Sequence, residues 1–155
     1  MFDCLVLESD RHTMTMQLQT TQPQLFVYAD KHKISQVLIN LVSNAVKYAN
    51  REEAQIIVST KEGTQSIHIS IEDNGMGIKP ENLPRIFERF YRVESSRSRK
   101  EGGSGLGLAI VKHIMEAHKQ PISVESVYLS GTKFKFKLDK SSADRLRKVK
   151  PITLP

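Results

Sequence analysis

The stretch Gly102 to Lys112, GGSGLGLAIVK, limits what this chain can be more than any other. Glycines alternate there with small or apolar residues and run straight into an apolar-periodic segment, the pattern of a flexible loop feeding the first turn of a helix. Such a junction leaves backbone N–H groups unpaired at the positive end of a helix dipole, so it favours a bound anion, most simply a phosphate. A plain glycine loop ahead of an ordinary amphipathic helix would look the same. The meaning of the stretch therefore depends on what the rest of the chain can bring to it.

One domain with a true hydrophobic core fits a length of 155 residues, and 39% hydrophobic with 26% charged residues is an ordinary globular balance. Cys4 is the only cysteine and has no intramolecular partner, which points to a reducing compartment. No apolar run approaches the ~20 residues that span a bilayer, and no signal peptide opens the chain. The formal charge of +6 raises nucleic acid as a partner. Much of that excess sits in Arg89 to Lys100 and Lys140 to Lys150, without interleaved aromatics or a helix-turn-helix pattern, so a solvated face and a small anionic ligand explain it better than nucleic acid.

Phe2 to Glu8 reads as the end of a helix, and a start at Met1 inside such a segment points to a piece of a longer chain. Thr13 to Leu18 and Leu25 to Tyr28 read as short strands about a turn at Pro23, and Asp30 stands where an N-cap belongs. From Lys31 to Ala49, apolar residues recur at Ile34, Val37, Leu38, Leu41, Val42, Ala45 and Ala49, the spacing of an amphipathic helix. Asn40, Asn44 and Lys47 fall on one strip beside that stripe. Asparagine is a poor helix former, so two of them in mid-helix imply a purpose other than helix stability, although a solvated polar face is the simpler account of either one alone.

Gln55 to Ser59 and Ser66 to Ile71 form a hairpin around Gly63, with Ile67, Ile69 and Ile71 facing the core. The same parity turns Asp73 inward at the strand's end, where a carboxylate needs a hydrogen-bond partner or a ligand. Asn74 to Gly77 follow as a turn that permits positive φ and close backbone approach. Pro80 to Phe87 reads as a short helix, and the segment through Arg99 and Lys100 as a mobile loop. The glycine-fed helix runs to about Lys119. Ile122 to Ser126 and Thr132 to Leu138 are a last strand pair, with Thr132, Phe134, Phe136 and Leu138 inward, and from Asp139 onward the chain reads as a polar basic tail.

There is no G-x-x-x-x-G-K-[ST], no complete dinucleotide fingerprint, no HRD or DFG, and no metal-ligand spacing among His12, His32, His68, His113 and His118. What the chain does hold, in order, is D-x-x-x-x-x-QVLINLVSNAVKYA from Asp30, DNGMGI from Asp73, IFERFYR from Ile86, GGSGLGLAI from Gly102 and SGTKFKF from Ser130. Over roughly Tyr28 to Leu138 this resembles the catalytic, ATP-binding domain of bacterial sensor histidine kinases, most of all the phosphate-regulon and cell-wall sensor type. The resemblance implies the Bergerat fold, an α/β (α+β) two-layer sandwich in which about three helices cover one face of a mixed sheet.

By matching position, the resemblance implies that Asn44, helped by Asn40, holds a Mg²⁺ that bridges the phosphates of ATP, an amide oxygen suiting so hard a cation. Lys47 would touch phosphate, Tyr48 would lie along the base, and Asp73 would accept a hydrogen bond from the adenine amino group. Gly75, Gly77 and Ile78 would meet the ring, with Thr132 behind them. Phe87 and Phe90 would anchor a lid and Arg92 would reach the γ-phosphate. The amides of Gly103, Ser104, Gly105, Leu106, Gly107 and Leu108 would cradle the phosphate chain. The implied reaction moves a phosphoryl group from ATP to a histidine, and none of the five histidines here lies in the H-[ED]-x-x-[TN]-P context of the family's acceptor helix.

Residues 1–12 are then the end of a linker from a missing dimerisation helix, 13–139 the ATP-binding domain and 140–155 a disordered tail. The implied partners are the protein's own dimerisation and phosphoacceptor domain and a response regulator. The implied setting is the cytoplasmic part of a membrane-anchored homodimer in the bacterial inner membrane, this piece alone being monomeric. Two departures stand out: Leu129-Ser130-Gly131-Thr132 keeps one glycine where G-x-G-T is usual, and Lys119-Gln120-Pro121 replaces a glycine pair. A GHL-type ATPase or anti-sigma serine kinase of the same fold, and a nucleotide-binding docking module without catalysis, remain as alternatives.

Overall fold

The computed structural model describes residues 2–9, 12–49, 52–93 and 104–141. Strands β1 (Phe2–Ser9), β2 (His12–Thr20), β3 (Glu53–Glu62), β4 (Ser66–Asp73), β5 (Ile122–Val127) and β6 (Gly131–Asp139) form one sheet in the order β1-β2-β3-β4-β6-β5. Only β2 and β3 run parallel, so the sheet is mixed as expected. Helices α1 (Lys31–Tyr48) and α2 (Gly107–Ala117) pack against each other, α1 also contacting β3 and β4, which completes the two layers.

The core follows from strand parity. Register pairs Ile67 with Leu138, Ile69 with Phe136 and Ile71 with Phe134, and all six are buried. Against this column α1 lays Ile34, Val37, Leu41 and Ala45, and α2 lays Val111, Ile114 and Met115. The Asp30 carboxylate caps α1 by accepting the Lys33 N–H at 3.0 Å. His118, at the far end of α2, donates from Nδ1 to the Ile114 carbonyl at 2.8 Å and accepts the Asp30 N–H at Nε2 at 3.1 Å, tying the end of one helix to the start of the other.

Several expectations are corrected. Phe2 to Glu8 is a strand, not the end of a helix: it pairs antiparallel with β2 from Phe2↔Gln19 to Ser9↔His12, and a short apolar run does not by itself distinguish the two states. Leu25 to Tyr28 is not a strand; Val27 alone bridges to Lys140, and the Tyr28 N–H donates to the Asp139 carbonyl at 2.8 Å. Lys140 and Ser141 are thereby held to the body, the Ser141 N–H donating to Phe26 at 2.9 Å. Pro80 to Phe87 contains only a 3-10 turn, Leu83–Arg85, because Pro84 cannot donate to a continuing helical ladder. Two α-helices, rather than three, therefore cover the sheet among the described residues. The expected mobile loop through Arg99 and Lys100, and the tail from 142 on, lie outside the described residues.

Leu41 is fully buried between α1 and the sheet, whereas Ile39 on the same helix is 67% exposed. Leu41→Ala is expected to cost about 2–5 kcal/mol and Ile39→Ala less than about 0.5 kcal/mol in urea unfolding.

Candidate functional site

The apolar column between β4 and β6 ends in a polar pair, Asp73 opposite Thr132. Above this pair opens a cavity of about 340 Å³. The α1 strip lines one wall with Asn40, Asn44, Lys47 and Tyr48; Gly77 and Ile78 come from the turn after β4; Thr132 comes from β6. Ser104, Gly105, Gly107 and Leu108 close the opposite wall, and Arg92 reaches the same space. Most of the residues singled out from the sequence therefore meet in one place.

Asp73 is half-buried, and its Oδ1 accepts the Gly75 N–H at 2.9 Å. Burial pushes its carboxyl above the usual carboxylate range; the backbone N–H groups of Gly75 and Thr132 pull the other way, and the neighbouring Glu72 charge adds to the rise. The turn behind it is stitched from three directions. The Met76 N–H donates to the Tyr48 carbonyl at 3.1 Å, the Leu129 N–H to Met76 at 2.6 Å, and the Ile78 N–H to Ser126 Oγ at 2.8 Å. Ser126 Oγ also lies 2.9 Å from both the Gly131 carbonyl and Thr132 Oγ1. A Cβ on Gly75 would overlap the Tyr48 carbonyl oxygen, and one on Gly77, which has φ +64°, would overlap that of Val127. Only glycine lets these segments close on one another.

Across the cavity, α2 begins at Gly107 with no acidic residue in its first turn and no side-chain cap from Leu106, so its leading amides remain available to an anion. Asn40 faces this helix start: its Oδ1 would lie 3.6 Å from a Cβ on Gly107, and its buried Nδ2 has no hydrogen-bond partner. An unpaired buried amide is costly, and a ligand oxygen would satisfy it. Lys47 Nζ sits 5.3 Å from the centre of the Tyr48 ring.

Some expected residues stand elsewhere. Phe87 belongs to the core, edge-on to Phe134 with centroids 6.3 Å apart. Phe90 is 71% exposed with φ +63°, and its N–H donates to the Gly105 carbonyl at 2.9 Å, so it braces the glycine stretch by backbone instead of lining the cavity. Gly75 and Leu106 support the walls without forming them, the Leu106 N–H donating to Ser104 Oγ at 3.3 Å. Gly103 lies outside the described residues.

The sequence reading missed Ser43, Met76, Lys79, Tyr91 and Tyr128, all of which line the cavity. Tyr91 is fixed by a 2.7 Å hydrogen bond to Asn82 Oδ1 and by the Arg85 guanidinium 4.3 Å over its ring, and Lys79 Nζ lies 5.2 Å from the Tyr128 ring. Ser126 could have been found, since it shares parity with Ile122 and Val124 and is paired in register with Thr132.

Residues 29–142 match the family model described as histidine kinase-, DNA gyrase B-, and HSP90-like ATPase. The chain is 44% identical over 131 residues to the sensor protein RprX of Bacteroides fragilis, covering 84% of this chain and 25% of that protein. It is 37% identical over 119 residues to the phosphate regulon sensor protein PhoR of Haemophilus influenzae, covering 77% and 28%. It thus spans only about a quarter of the length of either relative. The catalytic domain of histidine kinase ThkA, in a nucleotide-free form, superposes with a TM-score of 0.67 at 30% identity, covering 81% of this chain and 79% of that one.

Gly77→Ala forces both a strained φ and a backbone overlap, whereas Gly107→Ala meets only ordinary contact with Asn40. The first is expected to lower stability by about 2 kcal/mol or more and the second by less than about 1 kcal/mol, read as the difference in urea midpoint at equal slope.

Proposed function

The chain belongs to the family of histidine kinase-, DNA gyrase B- and HSP90-like ATPases, on its sensor-histidine-kinase side, and from that premise we propose that it binds Mg-ATP in the cavity above Asp73 and passes the γ-phosphoryl group to a histidine on a dimerisation domain outside this sequence. The carrying observation is the half-buried carboxylate closing an otherwise apolar column, with the uncapped start of α2 across the cavity from it.

In this reading the acid and the amides divide the ligand between them. Asp73 is held by the Gly75 N–H on Oδ1 and by the Thr132 N–H, and its remaining lone pairs would accept from the adenine amino group. Gly77 and Ile78 bring backbone to the ring edge, Tyr48 flanks it and Thr132 lies behind. Lys47 and Arg92 supply positive charge to the phosphates, and the amides from Ser104 to Leu108 hold their oxygens. The unpaired Asn40 Nδ2, beside Asn44 on the same wall, fits a shell of phosphate and water oxygens. Asn44 and Asn40 are the residues that would hold Mg²⁺, which supplies charge neutralisation to the phosphates when bound.

In the transfer, an imidazole nitrogen of the acceptor forms a bond to the γ-phosphorus as the bond from that phosphorus to the β–γ bridging oxygen breaks, and ADP leaves with that oxygen. The chain's own contribution is positioning and electrostatics. The phosphohistidine would then serve a response regulator. The rest of the protein would supply a membrane anchor and a dimer partner, with this domain on the cytoplasmic side; no helix among the described residues is long and apolar enough to cross a membrane.

Calorimetric titration with a non-hydrolysable ATP analogue is expected to show micromolar affinity, on the order of −8 kcal/mol, dependent on Mg²⁺ and reduced at least about tenfold by Asp73→Asn or Asn44→Ala. Saturable binding indifferent to both substitutions would overturn the site. Label from the γ-phosphate should reach a separately supplied dimerisation domain, and binding without any such transfer would leave only a nucleotide-binding module.

The raised Asp73 pKa sets a pH dependence. The folded, ligand-free domain holds that proton more tightly than the unfolded chain, so this group favours folding at acid pH and loses that contribution as pH rises through the folded value. Adenine needs the ionised form. Affinity should therefore fall as pH drops through a value above the ordinary 3.8, and Asp73→Asn should remove that component of the titration curve.

A further inference from the structure

Behind the base end of the cavity stand two hydroxyls, Ser126 and Thr132, with one proton each. Thr132 is 8% exposed and is the only polar or charged residue buried among the described residues. It faces Asp73 across β4 and β6, and both line the cavity. Gly131 makes that pairing possible: its φ is +140°, and a Cβ there would overlap the Asp73 carbonyl oxygen. In register with Thr132 on β5 is Ser126, half-buried and set back from the cavity lining.

The neighbours of Ser126 fix where those protons go. The Ile78 N–H, at 2.8 Å, can only donate, so Ser126 Oγ accepts it. The Gly131 carbonyl, at 2.9 Å, can only accept, so the single Ser126 proton points there. Thr132 Oγ1, at 2.9 Å, could take either role in isolation. With the Ser126 proton committed, all three contacts are hydrogen bonds only if Thr132 donates. Ser126 then has its proton and both lone pairs engaged, and Thr132 has no proton left for the cavity. Ionised Asp73 is likewise acceptor-only, and it already receives the N–H groups of Gly75 and Thr132. The pair that ends the β4–β6 column thus offers a ligand acceptors and no side-chain donor.

We propose that Ser126 is a positioning residue for base selection: by drawing the Thr132 proton away from the cavity it keeps this end of the pocket acceptor-only, which favours a base with an exocyclic amino donor over one with a carbonyl. The inference rests on the reading of Asp73 as the acid that recognises the base. Ser126 touches no ligand and acts through Thr132. Without it the Thr132 hydroxyl is free to turn and donate, so a carbonyl base that met only acceptors gains a partner. The bond to the Ile78 N–H supports the turn for either kind of base and does not distinguish them. A serine that merely braced the fold would matter equally to both.

Titrating the full chain with Mg-ATP and with Mg-inosine triphosphate, an amino group and a carbonyl at the same ring position, reads the effect as a ratio of two affinities. Ser126→Ala is expected to lower the wild-type preference for ATP by about fivefold or more, and Ser126→Thr, which keeps the hydroxyl, to retain it within about twofold. Ser126→Cys keeps the volume with a poorer acceptor and should move the ratio in the same direction as alanine, so the test does not depend on how well the alanine variant folds. In a Thr132→Val background, with no proton to redirect, Ser126→Ala should change the ratio by less than about twofold. Equal losses for both nucleotides in Ser126→Ala and Ser126→Cys, or the same change of ratio with and without the Thr132 hydroxyl, would overturn the inference while leaving Asp73 as the acid that reads the base. A wild-type domain with no preference for ATP would overturn the reading of Asp73, and this inference with it.

Discussion

A carboxylate drawn partly out of water at the end of β4 is the constraint around which this domain is arranged. Asp73 continues the inward column of Ile67, Ile69 and Ile71, so the strand that builds the core also delivers an acid to the core's edge. Such a group is costly where it stands, and the rise in its pKa measures that cost in direction. The surrounding hydrogen bonds hold it there. Met76 is bonded to Tyr48 at the end of α1 and to Leu129 in the β5–β6 turn, and Ser126 joins Ile78 to Gly131 and Thr132. The glycines at 75 and 77 are what let those segments approach.

The site's polarity follows from which elements meet. The acid terminates a strand pair beneath the cavity, while Lys47, Arg92 and the first turn of α2 line the space above it. A ligand with a hydrogen-bond-donating ring at one end and several negative charges at the other matches both, and the family to which the chain belongs is defined by ATP chemistry. The same strands carry a different pattern on their outer face. Because side chains alternate, β4 and β6 present Ile and Phe inward and His68, Lys135 and Lys137 outward.

Much of this was readable before any coordinates. Strand parity placed Asp73 and Thr132 inward, and helical periodicity put Asn40, Asn44 and Lys47 on one strip; both results depend only on local geometry. Reading failed where longer-range contacts decide. Phe2 to Glu8 is a strand because β2 offers a pairing edge, a fact no short apolar run contains. Leu25 to Tyr28 spends its backbone on the end of β6 and not on a ladder of its own. The segment after Pro80 resembled a helix until Pro84 limited it to a 3-10 turn. Phe87 and Phe90 look equivalent in sequence, yet one packs on Phe134 and the other faces solvent, a difference set by the positive φ of Phe90. Tyr91, Lys79 and Tyr128 reach the cavity through cation and hydroxyl contacts made across chain turns.

If Asp73 recognises an exocyclic amino donor, nucleotides that differ only at that position should separate sharply. Titrating the domain with Mg-ATP and with Mg-inosine triphosphate, which carries a carbonyl in place of the amino group, asks this directly. The account predicts a loss of at least about a hundredfold for the inosine compound, roughly 2.7 kcal/mol, because the carboxylate then faces an acceptor. Equal affinity for the two would mean that the acid takes no part in reading the base, and the arrangement described here would not be a nucleotide site of this kind.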